Sequence, residues 1–123
     1  MRFWQLWVLL IFVGSGPWFG VLSTPQWNHV TWVPFTSPTD KASDMIINTL
    51  MFLPLGWTFK TNRRGFAGTA TVLLMALAVS IGAESMQLYC ARRDPSATDV
   101  TMNAVGTLLG AAGASLWRRR PLP

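Results

Sequence analysis

The chain has 123 residues, half of them hydrophobic and only 12% charged, with a formal net charge of +5. Helices of a soluble domain this small need polar faces, and the apolar stretches here are too continuous to supply them. The positive residues sit at segment ends, which argues against nucleic acid as a partner and reads instead as membrane topology signals.

In chain order, the first apolar segment, residues 3–22, carries no ionisable group and is expected to anchor and pack. Gly16-Pro17 should kink it near its end. No Ala-x-Ala cleavage site follows, and apolar residues resume at Trp18, so the segment is expected to be retained. The loop 23–43 contains Pro25, Pro34 and Pro38 with several Ser and Thr, which disfavours long regular structure. Its Trp27, Trp32 and Phe35 suggest a position on the membrane surface. His29 in this loop is assigned no role.

The second helix, 44–60, is expected to open at Asp44 or to use Ser43 as its N-cap. Asp44 and Asn48 lie four apart and share a face. Pro54 removes the amide donor that would reach the Leu50 carbonyl, so it bends the helix. Gly56 lets a neighbouring helix approach. After a short basic turn, the third helix runs over 66–89. Its Glu84 and Gln87, three apart, share a face, with Glu84 roughly 8 Å from the helix end. A polar turn, 90–98, holds Arg92, Arg93, Asp94, Pro95 and Ser96, and begins at the lone Cys90, which has no partner for an internal disulfide. The fourth helix, 99–117, opens on Asp99, where an acidic group is favourable. Asp99, Asn103, Gly106, Gly110 and Gly113 form one stripe, and Gly106-x-x-x-Gly110 is a helix-packing motif.

A spanning helix needs roughly 17–25 apolar residues. The expected fold is therefore all-α: an integral membrane bundle of four transmembrane helices in one domain, 1–123. If all four cross, Arg2, Lys60, Arg63, Arg64, Arg118, Arg119 and Arg120 share one side, against Lys41, Arg92 and Arg93 on the other. That bias places both termini in the cytoplasm. Trp4, Trp7, Trp18, Trp57 and Trp117 fall near span ends, where aromatic belts form.

This topology brings Asp44, Asn48, Glu84, Gln87, Arg93, Ser96, Asp99 and Asn103 toward one leaflet. Ionisable residues in spanning segments are functional candidates by default. The arginines among the acids offset their repulsion and can bind carboxylate or phosphate bidentately. Such a set could bind a polar head group at the lipid–water boundary, or hold a divalent cation through its oxygens. The plainer alternatives are that Asn and Gln are interhelical glue, that Asp44 and Asp99 are interfacial helix caps, and that Arg92 is a solvated charge. No dedicated metal motif or cofactor signature is present.

The order Glu84-x-x-Gln87, then Arg93-x-x-Ser96-x-x-Asp99-x-x-x-Asn103-x-x-Gly106-x-x-x-Gly110, resembles the signature of the VanZ-like membrane proteins. Upstream, Asp44-x-x-x-Asn48-x-x-x-Phe52-x-Pro54-x-Gly56 matches another element of that family, so the resemblance covers 44–110. The family often has Pro-Gly before its Arg, where this chain has Ala91-Arg92. The resemblance implies a multi-pass protein of the bacterial inner membrane, and the namesake is associated with low-level resistance to teicoplanin, a lipid-bearing glycopeptide. On this footing the polar cluster is expected to bind a lipid-linked envelope molecule, such as a polyprenyl-phosphate precursor or a glycolipid, and to affect lipoglycopeptide susceptibility. Two alternatives remain open. One is an enzyme acting on a lipid head group, with Glu84 as general base. The other is a membrane scaffold, with homo-oligomers forming through the Gly stripe.

Overall fold

The computed structural model describes residues 3–16, 20–61 and 65–119. Four α-helices follow in order: α1 (Phe3–Ser15), α2 (Ala42–Thr61), α3 (Gly65–Gln87) and α4 (Ala97–Trp117). No β-strand occurs among the described residues, only two isolated bridges, Val21 with Cys90 and Thr31 with Ser96. Trp27–His29 forms a single 3-10 turn.

Several boundaries differ from those expected. α1 stops at Ser15, not at residue 22, because Gly14 and Gly16 weaken the helix and the residue before a proline is driven out of the α region. Its 13 residues reach about 20 Å, short of the roughly 30 Å of a hydrocarbon core. α2 begins two residues early, so Ser43 and Asp44 lie in its first turn rather than capping it. α3 ends at Gln87, and α4 begins at Ala97 with Ser96 as its N-cap, the Ser96 hydroxyl accepting from the Thr98 amide at 3.1 Å. Among the described residues, only α3 is both long and apolar enough to cross a membrane. The four-span expectation therefore rests, for α2 and α4, on helices of sufficient length but more polar content. Arg2, Pro17, Trp18, Arg63, Arg64 and Arg120, which carried parts of the kink, belt and topology expectations, lie outside the described residues.

Helix directions follow from contacts. Arg118, just past α4, donates to the carbonyls of Lys60 (2.8 Å) and Thr61 (3.2 Å), so α2 and α4 end together. The ring of Trp4 packs edge-on to Phe59 at 5.2 Å, and Phe12 lies by Gly82, so α1 starts at that same end. The bundle therefore runs alternately up and down, with α1 beginning and α4 ending at one pole.

α2 and α4 make the most extensive helix contact. A Cβ on Gly56, Gly106 or Gly110 would run into the backbone of Thr107, Thr49 or Leu53 respectively, and one on Gly113 would meet the Trp57 ring. At these glycines the α2 and α4 backbones approach closely. The partner of the α4 Gly stripe is α2 of the same chain, so a second copy would have to meet a different face. On the other side of α2, a core of Ile11, Phe52, Leu55, Ala76, Val79 and Ala83 joins α1, α2 and α3, with Trp4 and Trp7 packed against it rather than standing free.

Beside its apolar core the bundle buries several polar side chains and leaves large apolar ones exposed. Ser80, Thr107, Asn103 and Gln87 are buried, while Ile46, Leu50, Leu74, Ile81 and Leu109 are exposed. Most helical hydroxyls (Thr49, Thr58, Thr71, Ser85, Thr101, Thr107 and Ser115) bond the carbonyl four residues back and need no water.

The Trp7 indole donates to the Met51 carbonyl at 2.6 Å, one turn before Pro54. Trp7→Phe keeps the ring packing and removes this bond, so we expect a loss of about 1 kcal/mol. The thermal midpoint in detergent micelles measures it, and an unchanged midpoint would show that the bond contributes nothing.

Candidate functional site

The polar pole is assembled by the loop 20–41 draping over the turn between α3 and α4. Backbone bonds run from Leu22 to Tyr89 (2.8 Å), Gln26 to Leu88 (2.9 Å), Ala91 to Gly20 (2.9 Å), Thr31 to Pro95 (3.0 Å) and Ala97 to Thr31 (2.9 Å). The Gln26 carboxamide adds a bond to the Cys90 carbonyl at 2.9 Å. His29 Nδ1 meets the Asp94 carboxylate at 3.0 Å, a contact that is an ion pair only with the imidazole protonated. Both are about half exposed, so the pair adds little stability.

Thr98 is the pivot of this docking. Its buried hydroxyl accepts from the Phe35 amide at 2.8 Å and donates to Asp40 Oδ2 at 2.7 Å. Phe35 sits at φ 61°, in the left-handed region that a bulky residue seldom adopts. The bond from its amide to the Thr98 hydroxyl helps to hold it there.

Between this loop, the first turns of α2 and α4, and the α3–α4 turn lies an open cavity of about 530 Å³. Of the residues expected at the site, Asp44, Asn48, Gln87, Arg93, Ser96 and Asp99 line it. Asp40, Lys41 and Thr98 line it too, and were not singled out from the sequence. Arg92 also lines the cavity, beside Arg93. Asp99 has Asn48 and Arg93 next to it, with Asp44 and Asp40 close enough to act on its charge. Arg93 is exposed, lines the cavity and makes no salt bridge among the described residues, while its charge acts on Asp99. Gln87 is 3% exposed and its Oε1 has no hydrogen-bond partner.

Two expected members lie elsewhere. Glu84 is half-buried and its Oε2 accepts from the Ser96 amide at 2.8 Å, which fixes the residue that caps α4. It lines a separate, mostly apolar cavity of about 310 Å³ with Trp27, Trp32 and Val100. Asn103 lies between α3 and α4, its Nδ2 donating to Ser80 Oγ at 2.8 Å and its carbonyl accepting from Thr107. It is interhelical glue at this position, and Oδ1 is left without a partner. No cluster of three His, Cys, Asp or Glu side chains suited to a metal ion occurs among the described residues.

Asp40 escaped sequence reasoning because it sits in a loop with no periodicity. In the sequence Thr98 reads as the end of a turn. The one available signal was Ser96-x-Thr98 before an apolar run, which is cap chemistry and would have moved the α4 start to Ala97.

The cavity wall is not wholly polar. Met45 and Ile47 line it, and the apolar face continues down the outside of α2 through Ile46 and Leu50. A charged recess thus opens directly onto a hydrophobic track. The VanZ/LLP1 family model matches residues 3–118, nearly the whole chain. No curated protein and no solved structure matches it.

Proposed function

The chain belongs to the VanZ/LLP1 family, and on that premise we propose that its polar cavity binds the head group of a lipid-linked cell-envelope molecule. The observation that carries the proposal is the recess formed by Lys41, Arg92, Arg93, Asp44 and Asp99, which is continuous with the exposed apolar face of α2. A phosphate would pair with Arg93, and sugar hydroxyls would donate to Asp44, Asp99 and the Gln87 carbonyl. The acyl or prenyl chain would follow Ile47, Ile46 and Leu50 into the bilayer.

The protein sits in the bacterial inner membrane as a multi-pass bundle in this proposal, with the polar pole outward and both chain ends in the cytoplasm. Supporting this are the apolar exterior, the internally satisfied hydroxyls and the basic residues at the opposite pole. Bound to an exported precursor, such a protein would alter susceptibility to lipoglycopeptides by changing access to their target.

The experiment compares wild type with Arg93→Ala in lipid nanodiscs and identifies co-retained lipids by native mass spectrometry. We expect a phospho- or glycolipid on the wild type and its loss, by roughly tenfold or more, from the variant. Only bulk phospholipid on both proteins would refute the proposal.

A further inference from the structure

The opposite pole carries a second polar pocket, of about 600 Å³, lined by Lys60, Gly65, Phe66, Thr69, Ser115, Arg118 and Arg119. Its chemistry differs from that of the first. All five Asp and Glu residues of the chain, namely Asp40, Asp44, Glu84, Asp94 and Asp99, belong to the other pole, in or beside the loop, the α3–α4 turn and the helix ends that meet there. No side-chain carboxylate is therefore available to neutralise this end.

Lys60 makes that imbalance acute. From the sequence it is a topology signal, which would place its ammonium in water. In the fold it is 3% exposed. Its Nζ donates to the Gly65 carbonyl at 2.7 Å and to Thr69 Oγ1 at 2.6 Å. Gly65 can present its carbonyl this way because it turns at φ 68°, open to glycine without strain. These two neutral acceptors satisfy two of the three N–H donors and supply no charge. A buried cation ordinarily has an anion beside it. No Asp or Glu side chain lies at this pole to complement Lys60, which leaves the place for an anion from outside the chain.

We propose that this pocket binds the phosphate of an anionic membrane lipid, between Lys60 and Arg119 and beside the hydroxyls of Thr69 and Ser115. An apolar group at the pocket favours a lipid over a soluble phosphate. Phe66 lines it and is 89% exposed. A basic recess between helices with an apolar flank suits an anionic head group at the cytoplasmic boundary. The site is separate from the outer cavity, and its occupancy does not depend on the ligand proposed there.

The test uses the full chain in nanodiscs of equimolar phosphatidylglycerol and phosphatidylcholine, with native mass spectrometry after transfer to detergent. Wild type should retain phosphatidylglycerol in preference to phosphatidylcholine. Arg119→Gln, at an exposed residue remote from the core, should weaken that preference about fivefold. Lys60→Met should abolish it, and Arg93→Ala should leave it intact. Because Lys60→Met also removes two structural hydrogen bonds, Arg119→Gln keeps the proposal testable if Lys60→Met does not fold. Equal retention of both lipids by the wild type would overturn the proposal, as would undiminished preference in Arg119→Gln. Inorganic phosphate is the second probe. If it alone raises the thermal midpoint through Lys60 while no lipid is retained, the site takes soluble phosphate and the lipid assignment fails.

Discussion

Gly110→Leu is expected to separate α2 from α4 and to destabilise the bundle by about 3 kcal/mol. The Cβ alone would overlap the Leu53 carbonyl and the Trp57 amide, and neither is a flexible side-chain end that could step aside. Relief requires one helix to move bodily. That movement also removes the fit of Gly106 on Thr49 and of Gly56 on Thr107, since all three contacts share one helix pair. Gly14→Leu is the matched control. A Cβ there meets nothing within 4 Å, so its effect should stay within about 0.5 kcal/mol. Thermal midpoints in micelles separate the two. If Gly110→Leu melts with the wild type, the close approach of α2 and α4 is wrong. The same variant discriminates between uses of the Gly stripe, because an effect on melting at high dilution belongs to packing within one chain rather than between copies.

Glu84→Leu should cost about 2 kcal/mol and should also weaken head-group retention. The Glu84 carboxylate is the acceptor for the Ser96 amide, and Ser96 caps the helix whose first turn holds Asp99. Leu leaves that amide without its partner, so the turn carrying Arg93 loosens. Glu84→Gln retains an oxygen acceptor at the same place and should lose under about 1 kcal/mol. Melting, together with hydrogen exchange at the Ser96 amide, reads both variants. The Leu variant should exchange faster, while the Gln variant should stay near the wild type. Comparable losses in both would mean that the charge, not the accepted hydrogen bond, is what this position supplies. Glu84 would then no longer be a positioning residue for the turn.

The chemistry of Arg93 and Glu84 thus parts company in the fold. Read along the sequence, both belong to a single polar string, with Glu84 reaching back from one helix and Arg93 on the turn ahead. In three dimensions they act on one another only electrostatically. Arg93 faces the recess, and Glu84 faces the underside of the turn that presents it. Asp40 and Thr98 take the remaining place at the recess, tied to each other across 58 positions of sequence.

Local rules were enough to identify the helices. Apolar runs bounded by Pro, Gly and polar turns specify α2, α3 and α4 to within a few residues, because helix termini are decided by nearby caps and breakers. The stripe of Gly106 and Gly110 is equally local, since it is spelled out by helical spacing, whereas its partner α2 is set by the fold. Membership of a family was also legible, in the spacing from Asp44 to Gly110. Tertiary structure alone decided which polar groups meet. Helical periodicity places Asn103 in line with Asp99, but α3 closes over it and Ser80 takes its amide. The loop 20–41 has no periodicity, so nothing local foretold that it would bring Asp40 and Lys41 to the recess. Nor could composition reveal that Lys60 is buried. A lysine at a helix end reads as solvated until the return of α3 and the end of α4 close around it, and only then does its ammonium settle against the Gly65 carbonyl and the Thr69 hydroxyl.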